Sequence, residues 1–196
     1  MVDDGSTDAT PRIVAEYAAR DPRVRLQRHE RNMGPGSGFV TGVPLAEKEL
    51  VIFLPADLAM RLDQLALYLD AIRGSDIVVG VSTARPDYSL LRKIQSRVYI
   101  LLIKLLFGLK QRQFNYIHMY RRDALLACAP KVPGVFMSVE ILVRARDAGL
   151  RISEVDIEYV PREHGAASCG KPSVILDTIR DALKFRMSWH GQRKKV

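Results

Sequence analysis

Two short apolar runs set the main constraint on this chain: "LVIFL" at 50–54 and "DIVVGV" at 76–81. Each has the length of a strand and lacks polar alternation, the pattern of a strand buried on both faces. Between them Leu62, Leu65, Leu69 and Ile72 recur at spacings of three, four and three, which predicts an amphipathic helix. Strand alternating with helix predicts an α/β fold with a mainly parallel sheet flanked by helices. In such sheets ligands bind beyond the carboxyl ends of the strands, where "PAD" (55–57) follows the first run.

The rest of the chain extends the alternation. Thr10-Pro11 predicts a helix start, with Thr10 as cap and the helix reaching about Ala19. "VRLQR" (24–28) predicts a short strand, and "ERNMGPGSG" (30–38) a glycine-rich loop leading into a helix over 37–47. A long helix is expected over 90–107, a poorly alternating strand within 114–122, a helix over 138–149 closed by Gly149, and a strand within 151–160. Leu176, Ile179, Leu183 and Met187 place a last helix after Pro172, and the basic tail 187–196 is expected to fray. With no internal repeat or linker, 1–196 is expected to form a single domain.

Composition narrows the class of partner. The 196 residues are 47% hydrophobic, enough for a sizeable core, and carry a net charge of +8. That balance favours anionic partners: nucleotides, phosphorylated lipids or acidic membrane surfaces. Few aromatics interleave with the basic residues and no nucleic-acid motif is present, so no nucleic-acid partner is expected. Cys128 and Cys169 form no CxxC pair, which fits a reducing compartment. The longest apolar stretch, "VYILLIKLLF" (98–107), is too short to span a bilayer.

Four segments occur in a telling order: "VDDGSTD" (2–8), "NMGPGSG" (32–38), "FLPAD" (53–57) and "REHGAAS" (162–168). With "LLRK…SR" and "EILVRARDAG" between them, the chain resembles a family 2 glycosyltransferase of the GT-A fold, of the dolichyl- or polyprenyl-phosphate mannose or glucose synthase type. The resemblance implies transfer of a hexose from a nucleotide-sugar to a lipid phosphate at the cytoplasmic membrane face. It implies that Asp3 and Asp4 contact base or ribose, Asp4 being the better candidate for the base, and that Gly34 and Gly36 let the backbone approach the ligand. It makes Asp57 the ligand of Mg2+ or Mn2+ against the diphosphate. Here proline at 55 and alanine at 59 leave Asp57 as the single direct donor, and a weaker site.

The resemblance assigns Arg162 and Ser168 to the R-x-x-G-x-S loop, with one extra residue before Ser168, and aligns Arg85 with the arginine after "VVG". Guanidinium groups match phosphate oxygens in two-point fashion, which also makes Arg92 a phosphate candidate. Glu140 falls near the acceptor side. A phosphate acceptor is already ionised near neutral pH, so Glu140 need not act as a base. The helix over 90–107, basic early and apolar late, is implied to meet the membrane peripherally, against the alternative of a core helix buried all round.

In the resembled family a first strand, a nucleotide-gripping loop and a helix precede the V-D-D segment. The chain is therefore expected to be truncated at its N-terminus. An internal methionine taken as a start, a degenerate product, or a homo-oligomer whose second copy covers the open edge would each account for this. The competing functional reading is an inactive remnant that binds membranes or proteins.

Overall fold

The computed structural model describes residues 1–34, 36–56, 60–82, 88–130, 134–160 and 172–193. At its centre is β4 (Ile77–Ser82), buried along its whole length. β6 (Ile152–Ile157) runs parallel to it on one side, and β5 (His118–Arg121) antiparallel on the other. β3 (Leu50–Ile52) pairs antiparallel with the far edge of β5, giving the order β3-β5-β4-β6. β1 (Val2–Asp3) and β2 (Gln27–Arg28) form a separate parallel pair.

The strand–helix alternation is as expected, but the described sheet is mixed rather than mainly parallel. β5 is the reason. It follows the long helix and inserts between β3 and β4 against their direction. His118, Met119 and Tyr120 are all buried, because layers cover both faces of β5, and this is why its sequence alternates poorly. β3 is shorter and less buried than the run "LVIFL" suggests, since it pairs on one side only within its sheet.

Helices cover both faces. α2 (Ser37–Gly42), α4 (Leu90–Phe107), α6 (Met137–Asp147) and α7 (Pro172–Arg193) meet one face, where Phe39, Val79, Ile103, Phe107, Tyr120, Phe136, Leu142 and Phe185 form the larger core. α3 (Leu65–Ala71), flanked by 3-10 turns, meets the other face through Tyr68 and Ile72. Leu62 and Leu69, expected in the apolar stripe of that helix, are exposed instead, because Tyr68 sets the buried face. The Tyr68 hydroxyl crosses Gly80 of β4 and donates to the Ile117 carbonyl at 3.0 Å. α1 (Thr10–Arg20) and α5 (Arg122–Ala127) complete the helices.

Helix ends follow local chemistry. α1 is capped by Ala9 rather than Thr10, and the Asp8 carboxylate takes the Thr10 amide at 2.9 Å. α4 starts on the Ser89 hydroxyl and ends at Gly108, whose φ of 67° only glycine adopts readily. α7 runs on to Arg193, so the stretch expected to fray is largely helical. α4 is two-faced, not buried all round. Ile103 and Phe107 enter the core, while Leu91, Ile94, Val98, Leu101 and Leu105 are 49–75% exposed along the opposite side. No helix among the described residues is long and apolar enough to cross a membrane.

Candidate active site

The end of β1 carries Asp3 and Asp4, and the structure gives them different tasks. The Asp3 side chain is almost sealed. It holds the Ser6 amide and hydroxyl and meets Arg28 Nε at 3.1 Å. It tightens the turn at Gly5, and little of it is exposed. Asp4 is the anchor of the glycine loop. Its carboxylate faces His29 Nδ1 at 2.7 Å and accepts from the Met33 amide at 2.9 Å, the Gly34 amide at 2.9 Å and the Ser37 hydroxyl at 3.0 Å. Burial pushes its pKa up, but these four bonds outweigh burial and hold it below the usual carboxylate value. His29 in turn reaches Thr41 through Nε2 at 2.8 Å, tying α2 to β1.

Asp4 is a quarter exposed, and among the described residues its Oδ2 accepts only the Gly34 amide, so one oxygen retains capacity for a further donor. Gly34 takes φ of 95°, a conformation the loop needs to turn its amide onto Asp4. Gly36 is required by proximity. A Cβ there would collide with the backbone of Gly134, whose carbonyl oxygen would lie only 2.7 Å away. The glycine loop therefore packs backbone to backbone on the segment before α6.

α2 carries this loop to the end of β3. Phe39 meets Phe53 edge-on at 5.4 Å and Tyr120 at 6.0 Å. Phe53, four residues before Asp57 in the sequence, is thus packed against the helix that the glycine loop starts. Pro55 supplies no donor at the first carboxylate position. No cluster of three metal-ligating side chains occurs among the described residues. Asp57, Arg85, Arg162 and Ser168 lie outside the described residues.

Arg92 borders an open cavity of about 270 Å3 lined by α4, the segment 113–115, Val135 and the first turns of α7. Its guanidinium rests 3.8 Å from the centre of the Tyr88 ring. Ser96, Tyr99, Gln113, Asn115 and Thr178 add neutral polar groups, and Ile100, Phe114 and Ile175 apolar ones. Sequence reasoning found Arg92 but missed the others. The spacing 92, 96, 99 does put three of them on one helical face; the remainder come from segments far away in the chain.

Glu140 is not part of this cavity's lining. Its side chain is fully buried and receives the Arg144 guanidinium at 2.7 and 2.9 Å. Arg144 then lies over the Trp189 ring at 4.7 Å, so the pair fastens α7 to α6. Among the described residues Glu140 thus serves an internal pairing, where the resemblance had placed it near the acceptor. Arg121 is used internally too: it donates to the carbonyls of Ser75 and Ile72 and pairs with Glu49.

The model of glycosyl transferase family 2 matches residues 1–128, about two-thirds of the chain. The chain belongs to this family. Among curated family relatives, a dolichyl-phosphate beta-glucosyltransferase of Trichomonas vaginalis is 29% identical over 204 residues, covering 96% of this chain and 62% of the relative. An undecaprenyl-phosphate mannosyltransferase of Micrococcus luteus is 28% identical over 211 residues, covering all of this chain and 86% of that protein. The chain thus spans about three-fifths of the length of the first of these relatives. Glucosyl-3-phosphoglycerate synthase from Mycobacterium tuberculosis in complex with UDP superposes with a TM-score of 0.68 at 18% identity, over 94% of this chain and 67% of that one. The GT-A-like α/β fold expected of the family 2 resemblance is borne out by that superposition.

Proposed function

We propose that this family 2 chain is a hexosyltransferase that moves a sugar from a nucleotide-sugar to a polyprenyl or dolichyl phosphate. The observation that carries the reading is the joint at Phe39 and Phe53, which sets the Asp4-anchored glycine loop against the strand leading to Asp57. The curated relatives named for lipid-phosphate acceptors support the acceptor class. A structural neighbour solved with Mn2+, UDP and glucosyl-3-phosphoglycerate supports a divalent cation beside a diphosphate.

Asp4, with its remaining acceptor capacity, takes a donor group from base or ribose. The cation, Mg2+ or Mn2+, would be held by Asp57 together with diphosphate oxygens and water, and supplies charge neutralisation for the departing nucleotide. Arg162 and Arg85 are assigned to the diphosphate and Ser168 to the same loop, while Arg92 faces the acceptor phosphate from its cavity. An acceptor oxygen forms a bond to C1 as the bond from C1 to the diphosphate breaks, and its electron pair leaves with the nucleoside diphosphate. The configuration at C1 inverts. The acceptor oxygen is already anionic, so a buried, internally paired Glu140 poses no obstacle to the step.

The exposed face of α4 supports peripheral membrane contact at the cytoplasmic face. Leu91, Ile94, Val98, Leu101 and Leu105 form a stripe about 21 Å long at 1.5 Å per residue. Lys93, Arg97 and Lys104 share one flank of it by helical spacing. An apolar stripe edged with cations suits an anionic bilayer better than a second copy of the same basic helix.

The test is transfer of radiolabelled hexose from a panel of UDP- and GDP-sugars to polyprenyl phosphate with Mg2+ or Mn2+. Transfer from at least one donor is expected, and none with any donor would refute the reading. Asp57→Ala should weaken metal-dependent nucleotide-sugar binding; an unaltered titration would remove Asp57 from the metal site.

A further inference from the structure

The cavity beside Arg92 contains a group that the fold leaves unsatisfied. The Tyr99 hydroxyl oxygen is shielded from solvent and makes no hydrogen bond among the described residues. The Asn115 side chain is near enough to act on the phenol but falls outside hydrogen-bond geometry, and it is itself exposed on the cavity wall. Burial pushes the Tyr99 phenol up to about 12, with Asn115 pulling slightly the other way, so it stays a neutral donor at any assay pH. A buried hydroxyl without a partner destabilises a protein, and phenylalanine would fill the same space without that cost. Such violations are expected where a ligand completes the network.

The chemistry of the walls says what that ligand is. Arg92 is the sole charged residue lining the cavity among the described residues, and it pairs with no described carboxylate. Every other described lining side chain is a neutral polar or an apolar one. An anionic head joined to an apolar body fits this distribution; a cation or a polyanion does not. A carboxamide can accept through its oxygen while donating through its nitrogen. Turned by rotation about its side chain, Asn115 accepts from the Tyr99 hydroxyl and presents its NH2 group to the anion beside Arg92.

Resting on the lipid-phosphate reading above, we infer that Tyr99 is a positioning residue which, through Asn115, sets the affinity of this cavity for the phosphate head of the acceptor. In the free protein the exposed Asn115 side chain does not complete the bond; a bound head holds it in the orientation that does. Tyr99 therefore contributes to binding and detracts from the stability of the free protein.

The experiment titrates the 196-residue chain with farnesyl phosphate, and with farnesol as the headless control, by calorimetry. Tyr99→Phe is expected to weaken farnesyl phosphate binding about tenfold, the loss of one hydrogen bond in a charge-assisted network. Its melting temperature should equal or exceed that of the parent, and its nucleotide-sugar affinity should be unchanged. Asn115→Ala should weaken binding similarly, and adding Tyr99→Phe to it should cost nothing more, because one residue acts through the other. Equal farnesyl phosphate affinity in Tyr99→Phe, a lowered melting temperature, additive losses, or farnesol binding as tightly as farnesyl phosphate would each overturn the inference. Sugar transfer separates this from the parent reading. Transfer with the same acceptor KM in Tyr99→Phe sinks the role of Tyr99 alone. Absence of transfer with every donor sinks the transferase reading, while the titration still decides the cavity.

Discussion

Replacing Asp4 by asparagine tests how the glycine loop is held. The carboxylate serves four donors: three on Oδ1, from His29, Met33 and Ser37, and one on Oδ2, from the Gly34 amide. Asparagine keeps one acceptor. If its oxygen stays with the three donors, its NH2 group is pushed against the Gly34 amide, donor to donor. One charge-assisted bond is lost and three become neutral, a cost of about 2–3 kcal/mol. For a domain of this size that lowers the melting temperature by roughly 5–10 °C. The pH dependence is sharper than the magnitude. The Asp4 carboxyl titrates below its ordinary value of 3.8 in the folded protein. Its stabilisation is therefore complete above that value and is lost as pH falls through the folded pKa. Urea unfolding of parent and Asp4→Asn at pH 8, 5 and 3 should give a constant difference between pH 8 and 5 that shrinks by pH 3. Every other titrating group is present in both proteins. A difference undiminished at pH 3, or absent at pH 8, would refute the carboxylate as the anchor.

Further outcomes follow from the core and the surface. Gly80→Ala drives a methyl into the Tyr68 hydroxyl and within 2.7 Å of the Ile117 carbonyl oxygen, so a loss of about 2–4 kcal/mol in denaturant unfolding is expected. Tyr68→Phe in the same chain should recover part of it, since the hydroxyl is the first obstacle. His118 is wholly buried, and burial lowers its pKa to about 4. The unfolded chain therefore takes up a proton near pH 6.5 that the folded one refuses. Stability should fall by about 3 kcal/mol as pH drops from 7 to 4, and most of that slope should vanish in His118→Gln. Val98→Glu with Leu101→Glu alters only exposed positions on α4. The double variant should keep its melting temperature and lose sedimentation with anionic vesicles; retained sedimentation would remove α4 from the membrane contact.

The cost of ordering this site is spread unevenly. The glycine loop is short, and a single carboxylate satisfies much of it, so its geometry depends on local bonds that a point substitution can remove. The cavity beside Arg92 depends on the packing of α7 against α4, where Phe185 contacts Phe107 at 5.8 Å and Phe136 at 5.6 Å. Arg144 and Trp189 reinforce that packing, and the Trp189 indole donates to Asp147 at 2.8 Å. Weakening α7 should thus disturb the acceptor side and leave the Asp4 network intact.

By itself the sequence determined the helices other than α5 and the buried strand β4, because apolar periodicity and glycine stops act within one or two turns of chain. α4 ends at Gly108 and α6 is followed by Gly149 for that local reason. The order of the four motifs likewise carried the family. Tertiary structure alone decided what Asp3 and Asp4 each hold. Asp3 meets Arg28 and Asp4 meets the loop at 33–37, choices made by segments some 25 to 33 residues away. It also turned β5 against its neighbours, enclosed Glu140, and gathered Tyr99, Asn115 and Thr178 around one space. Residue type and spacing specify what a side chain can do. Whether it faces a ligand or another part of the protein depends on packing between distant segments, which no local pattern encodes.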